Sequence, residues 1–250
     1  MGAVRRPPSS TKKPGWYRRR SRHISGAQRR ALRELWPVYG LAPVDEPGGA
    51  GAQSAEVTTP HALWAAFGLG ARPEGGCVLE LGFGRGETLL SLARERPDAA
   101  VLGVEWHRGS LGAAVLALEE AGRPQNVRLV KGEAVHLLRR RLPTSGGWLD
   151  AAVCVCPDPW PGSADVHRRV LRPEGLAEVA RALRSGGELH LATDSEAYAD
   201  AVLESAGAAG EDWAVSEVLD GRPSWRVETM YERKALQEGR GMVEVRLARR

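Results

Sequence analysis

Cysteine is scarce in this chain: Cys77, Cys154 and Cys156 make up its three, with no CxxC spacing among them. A disulfide framework and a cysteine-ligated zinc site are therefore not expected, and reducing cytosol is the expected compartment. No apolar run approaches the roughly 18 residues that a membrane-crossing helix requires. The N-terminal stretch lacks the apolar segment of a secretory signal, so the expected location is cytoplasmic. There is no GxxxxGK[ST] loop and no basic cradle for a polyphosphate, no internal repeat, and no metal-ligand spacing of His and Cys. Acidic residues are missing from one region altogether: residues 1–30 hold ten Lys and Arg and no Asp or Glu.

What remains is an ordinary globular composition, 42% hydrophobic and 26% charged over 250 residues, enough for one well-buried domain. The overall charge of +4 divides unevenly, because residues 31–250 hold 25 basic and 31 acidic groups. We expect residues 1–22 to be a basic disordered arm, with Pro7, Pro8, Pro14, Ser9 and Ser10 among its charges, and residues 23–250 to form a single domain. Such an arm commonly meets phosphates. A solvated tail or an Arg-rich organellar targeting segment has the same composition.

Ser25 to Tyr39 has helical spacing at Leu32, Leu35 and Trp36, and 43–51 reads as a Pro/Gly loop. From Cys77 on, strands and helices alternate. Strands are predicted at 77–81, 99–105, 127–131, 149–156 and 188–192, and helices at 87–96, 109–121 and 174–184, the last capped by Gly186-Gly187. His61 and Trp64 are expected on one packed helix face, and His136 on a helix. The run Leu149–Cys156 is apolar but for Asp150, as expected for a strand buried on both faces of a parallel sheet. The alternation predicts an α/β fold with a mainly parallel sheet. Ligands of such sheets sit beyond the carboxyl ends of the strands.

The residues at those ends carry the chemistry. Glu80 precedes the turn Gly82-Phe83-Gly84-Arg85-Gly86, whose GxGxG spacing departs from the GxGxxG of a dinucleotide site. A tight strand-to-helix turn accounts for the glycines equally well. Glu105 ends the second strand, where a carboxylate can accept from both ribose hydroxyls of an adenosine group. Glu133, after the third strand, could accept from an adenine amino group. Acidic groups in phase with three strand ends suit a cationic, phosphate-free cofactor, and S-adenosyl-L-methionine, with its sulfonium, fits that description. The fourth strand runs into Cys156-Pro157-Asp158-Pro159-Trp160-Pro161, in which Trp160 offers a face for stacking a base. The fifth ends in Ala192-Thr193-Asp194.

Leu79-Glu80-Leu81-Gly82-Phe83-Gly84-Arg85-Gly86, Gly103-Val104-Glu105-Trp106-His107, Pro157-Asp158-Pro159-Trp160-Pro161, Ala192-Thr193-Asp194 and Thr229-Met230-Tyr231-Glu232 together resemble the bacterial tRNA (guanine-N7-)-methyltransferase family, in order and spacing. Arg20-Ser21-Arg22 with Gln28, Leu32 and Trp36 also resembles that family's basic lead-in segment. The resemblance implies a Rossmann-like methyltransferase fold and methylation of guanine N7 in the tRNA variable loop. It implies that Glu80, Gly82, Glu105, Glu133 and Asp158 line the S-adenosyl-L-methionine site, with Asp158 at the reaction centre. Asp194, Thr229, Met230, Tyr231 and Glu232 would contact the guanosine, the two carboxylates accepting from its N1–H and exocyclic amine. Glu133 stands where the family more usually has aspartate, and two other departures bear on RNA contacts. Gly162 replaces a lysine in a stretch that keeps only His167, Arg168 and Arg169 of its basic character, and Met230 stands where Lys or Arg is common. Both changes are expected to weaken RNA contacts. The Asp-Pro-Trp element also resembles the motif of amino-methyltransferases, which leaves methylation of another base open, as it does a divergent RNA-binding member that transfers nothing.

Overall fold

The computed structural model describes residues 24–41, 57–210 and 212–250. The predicted basic arm and the Pro/Gly loop lie outside these residues. The chain runs α1 (Gly26–Glu34), α2 (Trp36–Tyr39), α3 (Pro60–Ala66), β1 (Cys77–Leu81), α4 (Glu87–Glu95), β2 (Ala100–Glu105), α5 (Arg108–Glu120) and β3 (Val127–Lys131). It continues through α6 (Ala134–Arg140), β4 (Leu149–Val155), a 3-10 turn (Ser163–Arg168), α7 (Pro173–Ala182), β5 (Leu183–Thr193), α8 (Glu196–Ala208), β6 (Trp213–Leu219), α9 (Met230–Gln237) and β7 (Val243–Arg249). The strands form one seven-stranded sheet in the order β3-β2-β1-β4-β5-β7-β6. Neighbours from β3 to β5 are parallel, whereas β7 pairs antiparallel with both β5 and β6.

Both faces of the sheet are covered, which is why β1 and β2 are buried at every position. Leu79, Leu102 and Leu189 pack with Trp64, Leu137, Leu176 and Tyr198 on one side. Val78, Val101 and Leu129 pack with Leu32, Trp36, Leu92 and Leu111 on the other. Alternate strand residues therefore feed opposite cores.

Four local expectations need correction. The stretch from Ser25 to Tyr39 is two helices, because α1 ends at Glu34 and Pro37, which has no N–H to continue the ladder, opens a new turn in α2. The helix predicted to run to residue 184 stops at Ala182, and Gly186-Gly187 lie within β5 rather than at a helix cap. They sit where the β4–β5 register shifts, and a Cβ on Gly187 would stand 3.0 Å from the carbonyl oxygens of Arg184 and Asp150. Trp64 is buried but His61 is exposed, so they do not share a packed face. Gln28, Leu32 and Trp36, expected in a basic lead-in segment, are structural. Gln28 completes a capping box with Ser25 and donates to the Gly109 carbonyl at 3.1 Å, while Leu32 and Trp36 are buried.

Candidate active site

The carboxyl ends of β1 to β4 open into a cleft lined by, among others, Gly82, Glu105, Glu133, Asp158, Trp160 and Arg168. Four of the five residues that the resemblance assigns to the cofactor thus line it, and Glu80 is not among the lining residues. Gly82, Gly84 and Gly86 have φ of 74°, 55° and 85°, left-handed values that strain a side chain. A Cβ on Gly82 would meet no atom within 4 Å, so open space lies in front of that backbone.

Glu80 lies beneath this turn at 2% exposure. Its Oε2 has no hydrogen-bond partner among the described residues. Burial pushes its carboxyl up to about 8, with the charges of Glu105 and Glu87 adding to the rise and a hydrogen bond from the Leu89 backbone N–H opposing it. A buried, unpaired acceptor of this kind is costly until a donor or a cation arrives.

Glu105 is more occupied than its sequence position suggests. Oε2 accepts from the Gly84 N–H at 3.0 Å, and Oε1 from the N–H groups of Trp106 and His107 at 2.7 and 2.9 Å. A carboxylate has about four acceptor positions, so roughly one remains, on the oxygen facing the glycine turn. Glu105 thereby shapes the turn and can accept one further bond, not the two expected. Glu133 lines the cleft and caps α6, its two oxygens taking the N–H groups of Val135 and His136 at 3.1 and 2.7 Å.

The Asp158 loop is held under backbone tension. Cys156 and Trp160, at its two ends, have φ of 49° and 41°, unusual for residues with side chains. Arg169 restrains it: the guanidinium is buried, donates to the Pro159 carbonyl at 2.8 Å and lies 4.8 Å from the centre of the Tyr198 ring. The basic stretch of the resemblance pointed to Arg169 as an RNA contact; its place is structural. Arg168 stacks on Trp160 at 3.6 Å, so one face of the ring proposed as a base platform is already covered.

The carboxylates expected to read guanine are paired. Asp194 receives Arg240 Nε at 2.7 Å. Glu232 is buried and takes Arg226 at 2.6 Å and 3.1 Å, with Arg222 at 3.4 Å. Arg226, wholly inside, also binds Glu244, which accepts His190 on its other oxygen at 2.6 Å. Burial alone would raise the Glu244 carboxyl, but the hydrogen bonds from His190 and Arg226 hold it below its ordinary value. Thr229 caps α9 by accepting the Glu232 N–H at 3.2 Å, and its Oγ1 stands 3.8 Å from Cys156 Sγ. The 229–232 segment is thus tied to the start of the Asp158 loop. No sequence signal announced Arg226 or Arg240, and the signal at Arg169 gave a different role; each acts through a pairing that only folding creates.

Among the described residues no cluster of three or more His, Cys, Asp or Glu could hold a metal, and no helix is long and apolar enough to cross a membrane.

A glycine turn after β1, a carboxylate ending β2 and a seven-stranded sheet with an antiparallel β7 define a methyltransferase of the Rossmann-like, S-adenosylmethionine-dependent class. The fold is shared with the solved 16S rRNA methyltransferase KamB, at a TM-score of 0.50 and 19% identity over 70% of this chain and 87% of that one. The family described as "Putative methyltransferase" matches residues 74–245. The tRNA (guanine-N(7)-)-methyltransferase of Nitrosococcus oceani is 35% identical, covering 92% of this chain and 89% of the relative. That of Halorhodospira halophila is 37% identical over 88% of each. The chain belongs to the tRNA (guanine-N(7)-)-methyltransferase family.

Proposed function

We propose that this protein transfers a methyl group from S-adenosyl-L-methionine to N7 of a guanine in the variable loop of tRNA, in the cytoplasm. The observation that carries the reading is the buried Glu80 carboxyl, unpaired at Oε2 at the end of β1, just before an open glycine turn and a cleft lined by Glu105, Glu133 and Asp158. Those residues suit a cationic cofactor. Glu80 and Glu133 would bind its polar groups, and Glu105 would accept one ribose hydroxyl. When bound, the cofactor supplies an electrophilic methyl group on sulfur. Guanine N7 carries a lone pair and no proton, so no side chain has to act as a base before attack. Asp158, beside the cleft, stabilises the positive charge that develops on the purine, and the rest of the rate comes from positioning. Asp194 and the 229–232 segment receive the guanosine, with Arg226 and Arg240 holding the two carboxylates in place. Incubation with unmodified tRNA and the cofactor, followed by nucleoside analysis, tests the reading: 7-methylguanosine is expected, and a different modified base or none would overturn it.

Two further results are expected. Glu105→Ala should weaken S-adenosylmethionine binding ten- to a hundredfold, about 1.5–3 kcal/mol, because it removes a charged acceptor and releases the turn it shapes. Unchanged affinity by calorimetry would remove Glu105 from the site. Deleting residues 1–22 takes away eight Lys and Arg from a chain whose remainder is net acidic. The slope of log tRNA affinity against log salt should flatten by several units, at about 0.7–0.9 per phosphate contact, while cofactor affinity holds. An unaltered slope would assign the arm to targeting or solubility.

A further inference from the structure

Glu87, the first residue of α4, lies outside the residues that the resemblance assigns to either ligand, yet it joins their two sites. Its Oε2 accepts the N–H of Met230, the first residue of α9, at 2.9 Å, and its Oε1 takes Arg233 Nη2 at 3.1 Å. A carboxylate on one helix therefore caps the N-terminus of another, 143 residues along the chain. Two neighbours in the glycine turn reach the same segment. Arg85 Nη1 lies 3.5 Å from Met230 Sδ, and a Cβ on Gly84 would stand 3.5 Å from the Tyr231 ring. Gly84 is in turn the residue whose N–H donates to Glu105. Three successive contacts thus tie the turn that faces the cofactor cleft to the segment that faces the guanosine.

We infer that Glu87 is a positioning residue that couples the two sites, so that a cofactor ordering the glycine turn also orders the start of α9 for the incoming base. The physical basis is shared ordering: the turn carries three left-handed glycines, and the start of α9 is tied beside it through the Glu87 carboxylate, Arg85 and Gly84. Binding of either ligand then lowers the ordering cost of the other, and the factor is the same in both directions. The 48% exposure of the Arg233 side chain and 32% of the Glu87 side chain show an ion pair near solvent, weak as a support for stability. Its value lies in where it fixes the helix.

This inference rests on the methyl-transfer reading, and formation of 7-methylguanosine by the wild-type chain checks that reading separately. The test uses the full chain, an unmodified tRNA transcript and S-adenosyl-L-homocysteine, the cofactor without its methyl group. The tRNA dissociation constant is measured with and without saturating S-adenosyl-L-homocysteine. The wild type should bind tRNA about tenfold more tightly in its presence, within the range usual for coupled sites. In Glu87→Ala that ratio should fall below about twofold and the KM for tRNA should rise about tenfold. Binding of S-adenosyl-L-homocysteine without tRNA should stay within about twofold of wild type. Glu87→Gln keeps an acceptor for the Met230 N–H but loses the ion pair, and should give an intermediate ratio. Arg233→Ala removes only a half-exposed side chain and should halve the coupling even where Glu87→Ala folds poorly. A wild-type ratio near one, or an Arg233→Ala and a Glu87→Gln variant with undiminished ratios, would overturn the inference while leaving methyl transfer intact.

Discussion

Asp158→Ala is expected to lower turnover on tRNA by about a hundredfold or more while the protein stays folded and still binds S-adenosyl-L-homocysteine. The size follows from what removing one preorganised electrostatic group usually costs in a transition state, about 2.7–4 kcal/mol. The fold should survive because Arg169 holds the loop through the Pro159 carbonyl and packs on Tyr198, and both contacts remain in the variant. The loss should appear in kcat with little change in the KM for tRNA, since the carboxylate interacts with charge that exists only as the methyl group transfers. Asp158→Asn, the same shape without charge, should be nearly as slow. Turnover near wild type at saturating tRNA would place the stabilising group elsewhere.

Glu80→Gln should separate binding from stability in opposite directions. In the free protein the carboxyl is pushed up to about 8 by burial and by its acidic neighbours, whereas an unfolded chain would hold it near 4.5. Between those values the unfolded state gives up a proton that the folded state keeps. The stability this group contributes is therefore complete below about pH 4.5 and lost as pH rises to 8, by on the order of 3–5 kcal/mol. Glutamine does not titrate, so the variant should be more stable than wild type at pH 8–9 and no more stable near pH 5. Denaturant unfolding across that range measures it, and parallel curves would refute the assignment. Cofactor affinity should fall at least tenfold, because an amide cannot supply the charge a cationic ligand needs. Calorimetry at pH 7 in buffers of different ionisation heat should show a proton released on binding by wild type and none by the variant.

The first three strands, and the start of the fourth, were legible in the sequence nearly to the residue. A strand buried on both faces reads as a near-continuous apolar run, and Cys77–Leu81 and Leu149–Val155 carry that mark with one acidic residue each, Glu80 and Asp150. The phase of Glu105 with the end of its strand was legible for the same reason, since its place follows from local periodicity. The antiparallel end of the sheet was not. β7 enters between β5 and β6, and nothing local in Val243–Arg249 specifies which of two strands it will separate.

Charge pairing marks the same boundary more sharply. The family resemblance made Asp194 and Glu232 acceptors for a base, and nothing in the local sequence names a partner for either. Folding brings Arg240, 46 residues on, to Asp194, and encloses Arg226 between Glu232 and Glu244. A sequence by itself determines which residue types stand at which strand end, since that depends on spacing along one chain. Which of their lone pairs are already filled depends on partners brought close only when β5, β7 and α9 pack. In a buried site the desolvation cost of an unpaired charge makes that pairing decisive. Glu80, left without a partner for one oxygen, and Glu105, with three of its acceptor positions taken, are the two outcomes of that pairing in this cleft.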